Sequence, residues 1–304
     1  MHTQIPTGST SKWPSAMMFA GLVDDGKIES LDDPLGKYLS WWTKNESDPR
    51  STVTTRMLLS FTSGFGGGHP GEEMNTRQAR RWRNDNDIFL ENFMASADAC
   101  NATTGDVVEC AKGIYTNVKL IGTPGKVYSY VCVLLLPVQT HTHNLSLSLS
   151  LSLSKIYIPH TYTHHRYNSN HLQIAAALAV EISGLNIHQF IDKYLFKPFN
   201  MTESYYYGKG CPDFGGDLVT TGADYEKFLH GILSYSPLSK ALIEESEKDY
   251  TPFLDDYYTL YGDYGFGHFL LVRSLYLFLS LYTHTHTHIH KQVFRFVQRI
   301  HRRM

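Results

Sequence analysis

The sequence predicts a largely helical fold with few strands. Three observations carry this. Residues 170–184, NHLQIAAALAVEISG, set Leu172, Ala176, Ala179 and Val180 on one side of a helix with Gly184 as its stop. Further helical spacing recurs along the chain, and runs that alternate with strand period are scarce. The composition, 42% hydrophobic and 13% aromatic, excludes disorder throughout.

The elements follow in chain order. Residues 9–24 read as a helix: Ser9 and Thr10 are cap residues, Pro14 falls in the first turn, and AMMFAGLV is the apolar face. LDDPLGKYLSWW is a turn and a short helix. TVTTRMLLSFTSGFGGG is a helix burying Leu58 and Leu59, broken by a glycine loop. NDIFLENFMASADA, at 86–99, has helical spacing. Cys100 and Cys110 flank a polar loop, CNATTGDVVEC, which a disulfide would close. GTPGKVYSY is a turn leading into an extended piece. After the helix at 170–184, a helix at 187–197 ends at Pro198, and another spans 222–234.

The 304 residues suit one large domain or two small ones. With 27 Lys+Arg against 29 Asp+Glu, the chain lacks the basic surplus of a nucleic-acid binder. The averages hide two unusual blocks, 131–166 and 271–304. Together they hold 8 Lys/Arg, no Asp or Glu and no glycine, so the remainder is acidic and carries all 23 glycines. The first block contains NLSLSLSLSLS and the second YTHTHTHIH. CTCTCT translates as Leu-Ser and ACACAC as Thr-His. Each block is therefore read as translated non-coding sequence, a retained intron being the simplest source.

Ten of the 16 histidines lie in these blocks. His141 and His143 alternate, as do His284, His286 and His288. Repeat translation explains them and the threonines between them; neither block has an Asp or Glu, and the lone Cys132 does not complete a ligand set. No metal and no organic cofactor is expected. The apolar run Phe269–Tyr282 is shorter than the ~20 residues of a membrane span and contains Arg273. Residues 1–8 carry no apolar run, so no secretory signal is read there. The sequons at Asn45, Asn101 and Asn200, with the cysteine pair, keep a secreted or lumenal location open; the compartment is not readable.

Ser9-Thr10-Ser11-Lys12 is the motif that carries chemistry. Spacing of i, i+3 on a helix sets the Ser hydroxyl and Lys amine on one face. A helix N-terminus favours an oxyanion beside the Ser, and a desolvated Lys can act as base. Taken alone, the four residues also suit an ordinary N-cap with a solvated lysine.

The order of segments adds weight. GSTSKWPSAMMFAGLVDDGKIESLDDPLGKYL, TTRMLLSFTSGF, GTPGKVYSY, YNSNHLQIAAALAVEISG, KPFNMTESYY and FGGDLVTTGADYEKFL occur in succession. This series resembles the serine β-lactamase-related family of class C β-lactamases, DD-peptidases and related esterases, over most of 6–130 and 167–268. The resemblance implies an α+β, β-lactamase/transpeptidase-like fold, here mostly helical with a depleted antiparallel sheet. The domain would span 1–270, interrupted by the insert 131–166 and followed by the tail 271–304. It also implies a serine hydrolase acting on a small-molecule ester or amide through an acyl-enzyme. Ser9 would be the nucleophile, Lys12 its base, and Tyr167 of Tyr167-Asn168-Ser169 a proton relay, with Tyr130 the rival for that role. Gly64–Gly68 and residues 66–99 would border the pocket. Removing 131–166 would join GKVYSY directly to the Tyr motif and its helix.

Two departures count against activity. The family's third motif, K-T-G or H-x-G, follows a segment like YGDYGFGHF, but here the 271–304 block follows instead. Only eight residues precede Ser9, where the family has a helix and strands. The reading is thus an impaired hydrolase; the alternative is a non-catalytic fragment or pseudoenzyme from a misassembled gene model. Substrate and oligomeric state are not legible.

Overall fold

The computed structural model describes residues 2–66, 100, 105–129, 170–253 and 263–270. Both unusual blocks, the predicted helix at 86–99, Asn101, Tyr130 and Tyr167 lie outside the described residues.

Helix α1, Lys12–Asp24, forms the middle of the core. A tight turn of 3-10 type, Gly8–Ser11, leads into it. Every residue from Pro14 to Leu22 is buried, so α1 has no solvent face to pattern. Ser9 and Thr10 were expected to cap this helix. Instead they lie inside the 3-10 turn, and the helix start carries no side-chain cap bond. The cap position falls to Ser11, whose hydroxyl accepts from the Leu218 N–H instead, while that of Ser9 accepts from Lys12 Nζ.

Helix α2, Thr55–Leu59, is capped by Thr54, whose side chain accepts from the Met57 N–H, and it buries Leu58 and Leu59 fully as expected. Helix α3, Val107–Asn117, was not expected. Cys110 lies within it, and the expected disulfide to Cys100 closes the stretch between them. Asp106 caps it through the Val108 and Glu109 N–H groups, and Val107, Cys110, Ala111 and Ile114 make its buried stripe.

Helix α4, Asn170–Ser183, is the long helix anticipated and is buried from Asn170 through Ala179. It packs against α1, α2 and α3. The expected helix at 187–197 divides into α5, Ile187–Ile191, and a wider π-type turn, Asp192–Phe196. Asn186 and Gln189 close a capping box at the start of α5. Helix α6 spans Gly222–Leu233, and α7, Lys240–Ser246, packs on α1.

Strand content among the described residues is small. Strands β1 (Ile5–Pro6), β2 (Tyr205–Tyr206) and β3 (Leu218–Thr220) form an antiparallel sheet in the order β1-β3-β2. Strands β4 (Asp263–Tyr264) and β5 (Phe269–Leu270) pair antiparallel on their own. The α+β class with a depleted antiparallel sheet is what the structure has. No single helix among the described residues is long and apolar enough to cross a membrane.

Buried polar groups fix how the small sheet meets α6. The fully buried Asp224 carboxylate accepts from the Glu203 N–H at 2.7 Å and the Ser204 hydroxyl at 2.8 Å, and pairs with Lys227 at 2.7 Å. Thr221, also fully buried, caps α6 through the Asp224 N–H at 3.1 Å. Thus the run LVTTGAD passes from strand to helix with its polar atoms satisfied.

Candidate active site

The start of α1 is held by residues about 200 positions downstream. Ser11 Oγ accepts from the Leu218 N–H at 3.1 Å, and Thr7 N–H donates to the Leu218 carbonyl at 2.9 Å. Ser15 Oγ donates to the Phe214 carbonyl at 2.8 Å and lies 2.6 Å from the Tyr206 hydroxyl. Burial pushes the Tyr206 phenol far above its ordinary range. Segment 214–218 therefore lies along the first turns of α1. The loop is tied to itself as well: Gly215 N–H donates to Asp213 Oδ1 at 2.8 Å, and Asp213 N–H to Asp217 Oδ2 at 2.9 Å.

Within this frame Lys12 is only 2% exposed. Its Nζ donates to Ser9 Oγ at 3.2 Å and to the Gly215 carbonyl at 2.8 Å. The spacing read from the sequence thus does bring hydroxyl and amine together, while Ser9 remains half-buried. The solvated-lysine alternative is excluded by this burial. An amine and a hydroxyl at this distance can exchange a proton, and the first N–H groups of α1 lie beside the same hydroxyl-bearing turn. Gly215, Ser11 and Ser15 were not singled out from the sequence. Their only local signal was FGGDL, a glycine pair ahead of a short apolar strand.

The β4–β5 turn also closes on this point. Gly267 N–H donates to the Leu59 carbonyl at 3.0 Å, and the His268 ring stacks on Trp13 with centroids 4.4 Å apart. Of the expected pocket border, Gly64–Gly66 are described. Gly64 accepts from the Ile121 N–H at 3.0 Å, and the Phe61 carbonyl accepts from the Ser129 N–H at 3.1 Å. Residues 121–129 therefore run beside 61–64, and the predicted turn at GTPG leads into them. A groove of about 930 Å³ lies elsewhere, lined by Val180, Ile187, His188 and Tyr205 among others, and neither Ser9 nor Lys12 borders it.

Two histidines sit here, His171 fully buried and His268 half-buried. His171 Nδ1 is 2.7 Å from the Ser63 hydroxyl, and burial lowers the imidazole to about 3. Burial lowers His268 to about 4, although its bond to the Phe266 carbonyl opposes this. Both are neutral when folded, whereas the unfolded chain takes up protons near pH 6.5. Stability should therefore be complete above about pH 6.5 and fall as the pH drops toward 4, at up to ~1.4 kcal/mol per pH unit for each histidine. Urea unfolding at pH 7.5, 5.5 and 4.5 checks this. His268→Phe, which keeps the stacked ring, should flatten the slope, and an unchanged slope would assign it to other groups.

Residues 1–130 match the family model described as Beta-lactamase. No curated protein matches the chain. Among solved structures it is similar to a putative β-lactamase from Bacteroides dorei DSM 17855, at 20% identity and TM-score 0.54, over 88% of this chain and 66% of that one. A penicillin-binding protein from Bacillus halodurans gives 15% identity and TM-score 0.54, over 88% and 68%. A D-stereospecific amidohydrolase from a Streptomyces species gives 15% and 0.54, over 88% and 70%.

The fold is thus the β-lactamase/transpeptidase-like fold shared by penicillin-binding proteins and β-lactamases. More particularly, the stretch that matches the Beta-lactamase family model, residues 1–130, contains both Ser9 and Lys12. The chain spans just under two thirds of the Bacteroides structure.

Proposed function

We propose that the chain is a serine hydrolase that cleaves a small-molecule ester or amide through an acyl-enzyme. The observation that carries this is Lys12, buried and bonded to Ser9 Oγ from within a family-matched domain. In the forward step Lys12, in its neutral form, takes the Ser9 proton as Oγ bonds to the substrate carbonyl carbon. The carbonyl bond to the leaving alcohol or amine then breaks, and that group receives the proton. Water repeats the sequence on the acyl-Ser9 and restores the hydroxyl. The Gly215 carbonyl orients the Lys12 amine throughout. Tyr167 is assigned the proton relay toward the leaving group, with Tyr130 its rival.

Two similar structures favour this reading: the Streptomyces amidohydrolase, and EstCE1, a hydrolase with promiscuous acyltransferase activity, which matches with TM-score 0.55. The chain as written is expected to turn over poorly, because no K-T-G or H-x-G motif follows YGDYGFGHF.

Trapping tests the nucleophile directly. Incubation with p-nitrophenyl acetate, acid quench and fragmentation of the tryptic peptide 1–12 should locate one acetyl group on Ser9. Ser9→Ala should remove it. Acetylation on another residue would overturn the assignment, and its complete absence would favour the non-catalytic alternative.

A further inference from the structure

Three cysteines meet at the junction of α3, α4 and the loop before β3. Cys100 and Cys110 are disulfide-bonded, and Cys211 is a buried free thiol. All three sulfurs lie within 4.8 Å of one another. The backbone is already close here: a Cβ placed on Gly210 would stand 1.9 Å from the Gly105 carbonyl oxygen. A single side chain spans the two buried sulfurs. Gln173 Nε2 lies 3.3 Å from Cys211 Sγ and 3.7 Å from Cys110 Sγ, while its Oε1 accepts from the Phe214 N–H at 3.3 Å.

We propose that this cluster is a thiol–disulfide exchange site in which Cys211 displaces Cys100 from Cys110. Cys211 gives up its proton to solvent and its thiolate attacks Cys110 Sγ. The Cys110–Cys211 bond forms as the Cys100–Cys110 bond breaks, and Cys100 leaves as a thiolate that takes a proton from water. Thiols and disulfides balance on both sides, so no oxidant or reductant is consumed.

The direction of attack follows from the surroundings. Cys110 and Cys211 are 1% and 2% exposed, whereas Cys100 is half-buried. Water can stabilise charge leaving on Cys100 but not on Cys110. The Gln173 amide donates toward both sulfurs that make the new bond. Burial pushes the Cys211 thiol up to about 12, with the Gln173 bond opposing it, so thiolate is scarce at neutral pH and exchange is slow. The rate should rise about tenfold per pH unit between pH 7 and 9. The product joins α3 to the loop that carries Gly215, yet the exchange itself stands independently of the hydrolase reading.

The test uses the full chain with Cys132→Ser, so that three cysteines remain. It is incubated without added thiol at pH 7, 8 and 9, and alkylated with iodoacetamide at intervals. Trypsin with Glu-C digestion then separates Cys100 from Cys110, because Glu109 lies between them. The expected result is a growing Cys110–Cys211 linked peptide with alkylated Cys100. Cys211→Ser should abolish Cys100 alkylation. Should that variant fail to fold, Cys100→Ser gives the second reading: with oxidised glutathione it should form Cys110–Cys211. The proposal is overturned if Cys100 stays bound to Cys110 at every pH, or if Cys100→Ser leaves Cys110 and Cys211 unlinked.

Discussion

Ser9→Ala should lower hydrolysis of a chromogenic ester by about a thousandfold or more, in a version of the chain that lacks residues 131–166 and carries a following strand with K-T-G or H-x-G. The argument is one of parts. Ser9 Oγ and Lys12 Nζ stand 3.2 Å apart, so the proposed nucleophile and base are within hydrogen-bond reach. An acyl-transfer transition state also needs donors aimed at the developing oxyanion, and in the resembled family the third-motif strand supplies one of them. Loss of one such donor costs roughly 10²–10³ in rate. The chain as written should therefore be slower than the restored version by at least that factor. Lys12→Met should match Ser9→Ala within about tenfold, because a nucleophile and its base act as a unit. Activity in the restored version that survives Ser9→Ala would refute the nucleophile; Ser9-dependent activity in the written chain equal to that of the restored version would refute the impairment.

The second large effect concerns stability. Gly267 adopts φ +72, and a Cβ there would stand 2.4 Å from the Lys12 carbonyl oxygen and 2.9 Å from Ala16 Cβ. Both neighbours belong to the buried start of α1, which is tied to segment 214–218 and cannot give way cheaply. Gly267→Ala should cost the left-handed backbone penalty, ~1–2 kcal/mol, plus an overpacking cost of ~1–3 kcal/mol. Gly26 is the control. It has φ +65 with open space around it, so Gly26→Ala should carry the backbone penalty alone. Denaturant unfolding of the two variants separates the costs. Equal losses would show that the β4–β5 turn does not press on α1. A larger loss at Gly267, with weaker acylation of Ser9, would show that the turn supports the site.

Much of this was readable in the residues themselves. Ser9 and Lys12 are three apart, and helix geometry alone puts them on one face. The apolar run 170–184 made α4, because a long buried helix needs little beyond its own composition. Leu58 and Leu59 were buried as the local pattern required. The stripe Val107, Cys110, Ala111 and Ile114 was also legible, but the polar residues ahead of it disguised a helix as a loop. Local spacing could not show that Ser9 bonds to Lys12 rather than capping α1, since both uses of the hydroxyl suit the same four residues. That choice belongs to the tertiary structure. Lys12 is buried because segment 214–218 lies over it, and its amine is oriented by a carbonyl 203 positions away. The meeting of Cys211 with the Cys100–Cys110 disulfide has the same origin. Hydrophobic period and helix propensity act over a few residues, so the sequence by itself determined the helices and the Ser-Lys spacing. Burial and long-range hydrogen bonds depend on every packed element at once, and only the fold decided which polar groups face one another.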